Sequence, residues 1–269
     1  MTEARNDTRK VQQLFDLTGK TALITGGSRG LGLQMARALG EAGAKVMISS
    51  RKSADLEQAV MALQDAGIDA RWIAADAGKA EDIQRLADET LARMGDIDIL
   101  VNNAGATWGA PAQNHPLDAW DKVMNLNVRG YFLLSQAIAK ASMIPRKQGR
   151  IINVASIAGL GGNPPFMQTI AYNTSKGAVV NFTRALACEW GHLGIRVNAI
   201  APGFFPSKMT AGILGMVGED NIAKHAPLLR VGDDDDLKGA TLLFASEAGK
   251  HITGQILAVD GGVSAMTGG

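Results

Sequence analysis

Short runs that are apolar on both faces alternate along the chain with longer segments whose apolar residues recur at helical spacing. The runs are TALIT (21–25), AKVMIS (44–49), ARWIAA (70–75), IDILVNNAG (97–105), GRIINVAS (149–156), IRVNAIAPG (195–203) and QILAVDGG (255–262). Between them lie the helical patterns LGLQMARALGEAG (31–43), ADLEQAVMALQDAG (54–67), AEDIQRLADETLARMG (80–95), LDAWDKVMNLNVRGYFLLSQAIAKAS (117–142) and AYNTSKGAVVNFTRALACEWGHLG (171–194). Such alternation predicts a doubly wound α/β fold, with a parallel sheet of about seven strands covered by helices on both faces. Several helical segments end at glycine, as helix C-termini commonly do.

Composition narrows this picture. A chain of 269 residues fits one α/β domain, and it has no repeat or Pro/Ser-rich linker that would divide it. The expected division is a flexible charged arm at 1–14 and one domain at 15–269. The stretch from about 204 to 236 mixes turn residues with short apolar patches, as a substrate lid would. A formal net charge of +1 gives no global field for nucleic acid or an anionic membrane, and no basic stripe points to either partner. No apolar run reaches the roughly 18 residues a bilayer span needs, and the opening MTEARNDTRKVQQ has no apolar signal core. Cys188 is the single cysteine, which precludes an internal disulfide and fits a cytoplasmic location. His115, His192, His225 and His251 lack zinc-site spacing, so no metal is expected. Asp233 to Asp236 stand just before LKGATLLFAS and predict an acidic helix start rather than a cation site.

The turn after the first strand, TGGSRGLG, contains Gly26, Gly30 and Gly32 around Ser28, Arg29 and Leu31. Its G-x-x-x-G-x-G spacing differs from the G-x-G-x-x-G dinucleotide fingerprint. The physics is shared: glycines admit a pyrophosphate close to backbone, and the next helix offers free N–H groups and its positive end. NAD-binding folds place an acid at the end of the second strand to meet the ribose hydroxyls, but here stand Ser50, Arg51 and Lys52. A carboxylate would repel a 2′-phosphate, whereas a hydroxyl with two or three cations, Arg29 among them, binds one. The pattern predicts NADP(H).

Taken with NNAG (102–105), NVAS ending at Ser156, YNTSK (172–176) and APG ending at Gly203, the glycine turn makes the chain resemble the short-chain dehydrogenase/reductase family from about Phe15 to Gly262. The resemblance implies a Rossmann-like domain and a catalytic set of four. Tyr172 would be the general acid/base, Lys176 its electrostatic partner, Ser156 the donor that orients the carbonyl, and Asn127 of MNLNVRG the support for a water-linked proton path. It implies Asp76 and Ala77 near the adenine, and Asn103, Ala104 and Gly105 along the cofactor. Pro202, Gly203, Phe205 and Ser207 would lie near the nicotinamide. Family members are mostly homotetramers that pair the helices carrying Asn127 and Tyr172, and the same assembly is expected here.

Tyr172 and Lys176 are four apart, which puts them on one helix face. A cation about 4 Å from the phenol, at an effective dielectric of about 20, is worth roughly 4 kcal/mol. That corresponds to about three pKa units and would bring a tyrosine of pKa about 10 close to neutrality. Ser156 to Tyr172 spans sixteen positions, more than relatives usually show. The surplus, GLGGNPPFMQTIA, should line the entrance with Phe166 and Met167, while Trp108 and Phe204 add apolar walls.

PGFFPSKMT (202–210) resembles a segment of the rhamnolipid-type 3-oxoacyl thioester reductases. Where many such reductases carry an arginine for docking an acidic carrier protein, this chain has Cys188; Arg146, Lys147 and Arg150 are candidates to compensate. The expected reaction is NADP(H)-dependent reduction of a ketone, on a 3-oxoacyl thioester or similar apolar carbonyl. The alternatives are a sugar-acid or polyol dehydrogenase resembling gluconate 5-dehydrogenase, and an NADP(H) sensor without turnover. The complete set Asn127, Ser156, Tyr172 and Lys176 argues against the sensor.

Overall fold

A computed structural model describes residues 9–266. Seven strands form one sheet: β1 (Thr21–Thr25), β2 (Lys45–Ser50), β3 (Ala70–Ala74), β4 (Ile99–Asn102), β5 (Gly149–Val154), β6 (Ile195–Pro202) and β7 (Ile256–Val259). Their order is β3-β2-β1-β4-β5-β6-β7, and every pairing is parallel. A short helix α1 (Val11–Phe15) precedes the sheet, and α2 (Gly30–Glu41), α3 (Ser53–Asp65) and α4 (Ala80–Met94) connect the first strands. One continuous helical stretch follows, made of α5 (Leu117–Met124), α6 (Gly130–Ile138) and α7 (Ile144–Arg146), joined by π-helical turns at Asn125–Arg129 and Ala139–Met143. The long α8 (Ile170–Trp190) comes next, then α9 (Ala211–Val217), α10 (Glu219–Ala223) and α11 (Lys238–Ala245).

Period-2 geometry sends successive strand residues to opposite faces, and both faces are covered. Ala22 and Ile24 of β1 pack with Met35 and Leu39 of α2, Leu56 and Leu63 of α3 and Phe244 of α11. Their neighbour Leu23 joins Ile83 and Leu86 of α4, Leu134 and Ile138 of α6 and Leu186 of α8 on the other face. Each of the larger side chains among them contributes about 1.5–3 kcal/mol when fully buried. That explains why the central strands read as unbroken apolar runs. Because β1 has β2 on one side and β4 on the other, the strand order reverses there, and a crevice opens at the carboxyl edge.

Two local expectations change. Within the expected flexible arm, Val11–Phe15 form α1, and Arg9 reaches Glu247 at 3.4 Å; residues 1–8 lie outside the described residues. The four acids do not start a helix. α11 begins at Lys238 with no acid in its first turn, and the carboxylates find cations and amides instead. Asp236 clamps Arg230 with two hydrogen bonds of 2.5 and 2.6 Å, Asp235 pairs with Lys238 at 2.9 Å, and Asp234 accepts from Gln34 at 2.6 Å. Among the described residues no helix is long and apolar enough to cross a membrane, and no group of three or more His, Cys, Asp or Glu could hold a metal ion.

Candidate active site

The carboxyl ends of six strands converge on a cleft of about 530 Å³. Gly26 to Gly32 follow β1 into it, Ser50 to Asp55 follow β2, Ala75 to Ala77 follow β3, and Asn103 to Gly105 follow β4. Val154 to Ser156 arrive from β5, Pro202, Gly203 and Phe205 to Thr210 from β6, and Tyr172 and Lys176 from α8. Among these are all the residues the sequence marks for the cofactor: Gly26, Ser28, Arg29, Gly30, Leu31, Gly32, Ser50, Arg51, Lys52, Asp76, Ala77, Asn103, Ala104, Gly105, Pro202, Gly203, Phe205 and Ser207.

The glycine turn is built for close approach. Gly26 has φ +66, and a Cβ there would stand 2.7 Å from Asn103 Nδ2. A side chain at Gly32 would overlap the same nitrogen and the Gly26 carbonyl. The Asn103 amide is committed to this turn: Nδ2 donates to the carbonyls of Thr25 at 2.8 Å and Gly26 at 3.2 Å. Thr25 Oγ1 in turn accepts from the backbone N–H groups of Asn103 and Ala104, at 3.0 and 3.1 Å. α2 starts at Gly30, so its first N–H groups have no partner within the helix and lie where the turn meets the cleft. An anionic diphosphate fits this cradle. Ser28, Arg29, Ser50, Arg51 and Lys52 form a cationic corner beside it. The same corner holds a residue that sequence reasoning missed: Asp55, in the first turn of α3, places Oδ2 3.5 Å from Arg29 Nη1. Its signal was an acid three positions beyond Lys52, near enough in a helix's first turn to share that corner.

Around Tyr172 the interactions are dense. Lys176 is buried, and its Nζ donates to the Val154 carbonyl at 2.6 Å. The same nitrogen lies 5.7 Å from the Tyr172 ring centroid and 5.5 Å from that of Tyr131. Burial pushes the Lys176 amine down to about 7. Tyr172 keeps partial access to the cleft, yet burial pushes its phenol above the ordinary value, opposed by a hydrogen bond with Ser156. The expectation that Lys176 brings the phenol towards neutrality is therefore corrected. The amine turns to the Val154 carbonyl, and burial is the larger influence on the phenol.

Ser156 ends the β5 segment and accepts from the Ala158 N–H at 3.2 Å. Asn127 is fully buried in the π-helical turn and does not line the cleft. Its Oδ1 accepts from the Ala106 N–H at 2.8 Å, and its Nδ2 donates to the Ala106 carbonyl at 2.9 Å and to Ser175 Oγ at 2.9 Å. Asn127 thus fastens the segment after β4 to α8, one residue from Lys176.

The expected entrance residues lie outside the lining of the cleft. Trp108 and Phe166 are exposed, Met167 is half-buried, and none of the three lines the cleft. Phe204 instead lines a separate cavity of about 370 Å³ with Ile222, Ala226 and Val259, while Phe205 is shared by both spaces. Of the cations offered for carrier docking, Lys147 is exposed, while Arg146 and Arg150 are spent elsewhere. Arg146 binds Asp98 at 3.1 Å and the Ile97 carbonyl at 2.8 Å, and buried Arg150 binds Glu247 at 2.6 Å. Arg150 lies near the start of β5, at the opposite edge of the sheet from the cleft.

The profile of the short chain dehydrogenase family matches residues 20–216. The chain belongs to the short-chain dehydrogenase family. This dehydrogenase is 40% identical over 255 residues to galactitol 2-dehydrogenase of Rhizobium johnstonii, covering 93% of this chain and 97% of the relative. It is 37% identical over 256 residues to the rhamnolipids biosynthesis 3-oxoacyl-[acyl-carrier-protein] reductase of Pseudomonas aeruginosa, covering 92% and 97%. Among solved structures it resembles a gluconate 5-dehydrogenase from Burkholderia cenocepacia J2315 in complex with NADP and tartrate. That match has a TM-score of 0.90 and 36% identity, over 96% of this chain and all of the other. The dehydrogenase is an oxidoreductase of the class that interconverts CH–OH and C=O groups.

Proposed function

We propose that the protein is an NADP(H)-dependent reductase of a ketone that is neutral around the reacting carbon and carries an apolar arm. The observation that carries this reading is the make-up of the two segments that lead on from the cleft residues Gly105 and Ser156. Between Ala104 and Leu117, and again between Ile151 and Ser175, the chain contains no Asp, Glu, Lys or Arg. The large apolar side chains exposed there are Trp108, Leu117, Leu160, Phe166 and Ile170. A sugar acid's carboxylate would find no cation in either segment, and unpaired burial of a charge is costly.

NADP(H) is supported by the cationic corner of Arg29, Ser50, Arg51 and Lys52 and by the diphosphate cradle at Gly26 to Gly32. When bound, the nicotinamide supplies or accepts the hydride. Tyr172, protonated at neutral pH because burial raises it, donates its phenolic proton to the carbonyl oxygen. Ser156 offers a second donor to the same oxygen and stabilises the charge developing on it. Lys176 holds position through Val154, with its Nζ 5.7 Å from the Tyr172 ring centroid. Asn127 acts by positioning, through Ala106 and Ser175. With Arg146 and Arg150 committed, a 3-oxoacyl group on coenzyme A or a free ketone is favoured over one on an acidic carrier protein.

A second reading, oxidation of a polyol or sugar acid, is favoured by the names of the galactitol and gluconate relatives. One panel separates the two: oxidation of NADPH with a short 3-oxoacyl coenzyme A ester and with 5-ketogluconate, and reduction of NADP with galactitol and gluconate. Turnover confined to the thioester upholds the first reading. Turnover confined to gluconate, its keto acid or galactitol upholds the second.

A further inference from the structure

The segment between Ser156 and Tyr172 carries two prolines and no strand, and before α8 begins at Ile170 its only helix is the single turn Ile157–Gly159. One side chain holds it. Asn173 Nδ2 donates to the Ala158 carbonyl at 3.0 Å and to the Gly161 carbonyl at 3.4 Å. Its Oδ1 accepts from Thr169 Oγ1 at 2.9 Å and from Asn163 Nδ2 at 3.1 Å. Asn163 Nδ2 also donates to Thr169 Oγ1 at 2.9 Å, which closes a ring of three side chains. The carboxamide thereby makes two contacts as donor and two as acceptor, the full complement of its polar atoms.

The ends of this latch fix its consequence. Ala158 is the residue whose N–H binds Ser156 Oγ, and Asn173 is the chain neighbour of Tyr172. A second tie, from the Ala110 N–H to the Gln168 carbonyl at 2.9 Å, joins the segment to the loop after β4 that carries Trp108. Gln168 adopts a left-handed φ of 45 to make it, a conformation that a non-glycine residue holds only when its surroundings impose it. Two loops are thus tied together, and the lock ends next to both residues that would face the substrate oxygen.

We propose that Asn173 is a positioning residue for substrate selection, which, with Asn163 and Thr169, holds the segment of Leu160, Phe166 and Met167 preformed beside Ser156 and Tyr172. This rests on the reading of that segment as the substrate side of the cleft. A preformed segment lowers the ordering cost of binding, and a loosened one raises KM while leaving the proton-transfer geometry in place.

The test combines Asn173→Ala, Thr169→Val and Thr169→Ser with three readouts: steady-state kinetics on the best carbonyl of the panel, NADPH affinity by fluorescence, and amide hydrogen exchange. For Asn173→Ala, KM rises about tenfold with kcat within about threefold. NADPH affinity stays within about twofold, and faster exchange is confined to residues 157–170. Thr169→Val moves in the same direction and Thr169→Ser restores wild-type behaviour; this pair decides the matter if Asn173→Ala does not fold. Unchanged KM despite accelerated exchange overturns the proposal, as does parallel loss of kcat and NADPH affinity, or equal behaviour of the two Thr169 variants. A wild type that turns over no carbonyl fails the substrate reading and takes this proposal with it, whereas turnover with unchanged KM fails this proposal alone.

Discussion

Lys176 Nζ donates to the Val154 carbonyl oxygen at 2.6 Å, so the one buried cation beside Tyr172 is tethered to the end of β5. Burial holds this amine at about 7, against an ordinary lysine value of 10.5. Below about 7 it is protonated in folded and unfolded chains alike. Between about 7 and 10.5 the unfolded chain binds a proton that the folded chain does not, and stability rises with pH. Chemical denaturation of the cofactor-free protein at pH 7 and pH 9 will show this rise, and Lys176→Met will reduce it. An identical pH dependence in the variant contradicts the burial of a titrating amine.

Tyr172 makes a second pH prediction with a direction. Its phenol lies above the ordinary value because of burial, and reduction needs the protonated form while alcohol oxidation needs the phenolate. The rate of ketone reduction should stay flat through neutrality and fall only in the alkaline range. Alcohol oxidation by the same enzyme should climb over that range. Profiles of kcat in the two directions check this, and a reduction rate that already falls below pH 7 contradicts it.

Asp55 places a negative charge in the cationic corner, 3.5 Å from Arg29. A carboxylate several ångströms from a 2′-phosphate, largely screened by water, opposes it by about 1 kcal/mol. Asp55→Asn should therefore tighten NADPH by about three- to tenfold and change NADH affinity much less. Titrations of both cofactors read this out. Weaker NADPH binding in the variant would mean that Asp55 holds Arg29 in its binding position instead.

Leu117 and Phe132 remain exposed on α5 and α6, apolar surface of the kind that pairing of these helices would cover. Light scattering should give a mass near four times the 28.2 kDa subunit, and Phe132→Glu should lower it. A mass near one subunit refutes the assembly.

What the sequence made legible was local or periodic. Strand runs such as TALIT are apolar on both faces because both are buried, and the Gly26 turn and the Tyr172–Lys176 spacing need only a few neighbouring residues. What escaped depends on contacts distant in sequence. Arg150 reads as a free cation until Glu247, 97 positions away, meets it. The partners of the Asn127 carboxamide, Ala106 and Ser175, lie 21 and 48 positions away and cannot be read from its own motif. The raised Tyr172 phenol follows from how much protein surrounds it, and residue spacing carries no such information. Asp233 to Asp236 read as a helix start because Arg230, Lys238 and Gln34 become their partners only in the fold.

The most direct test of the proposed chemistry is Tyr172→Phe, measured for NADPH oxidation on the best carbonyl and for NADPH affinity by fluorescence. The substitution removes the phenolic proton donor and keeps the ring that lies 5.7 Å from Lys176 Nζ. Turnover should fall by at least about a hundredfold, the lower range of what a positioned general acid contributes, with NADPH affinity within about threefold of wild type. Turnover within a few-fold of wild type would contradict the assignment of Tyr172 as the proton donor.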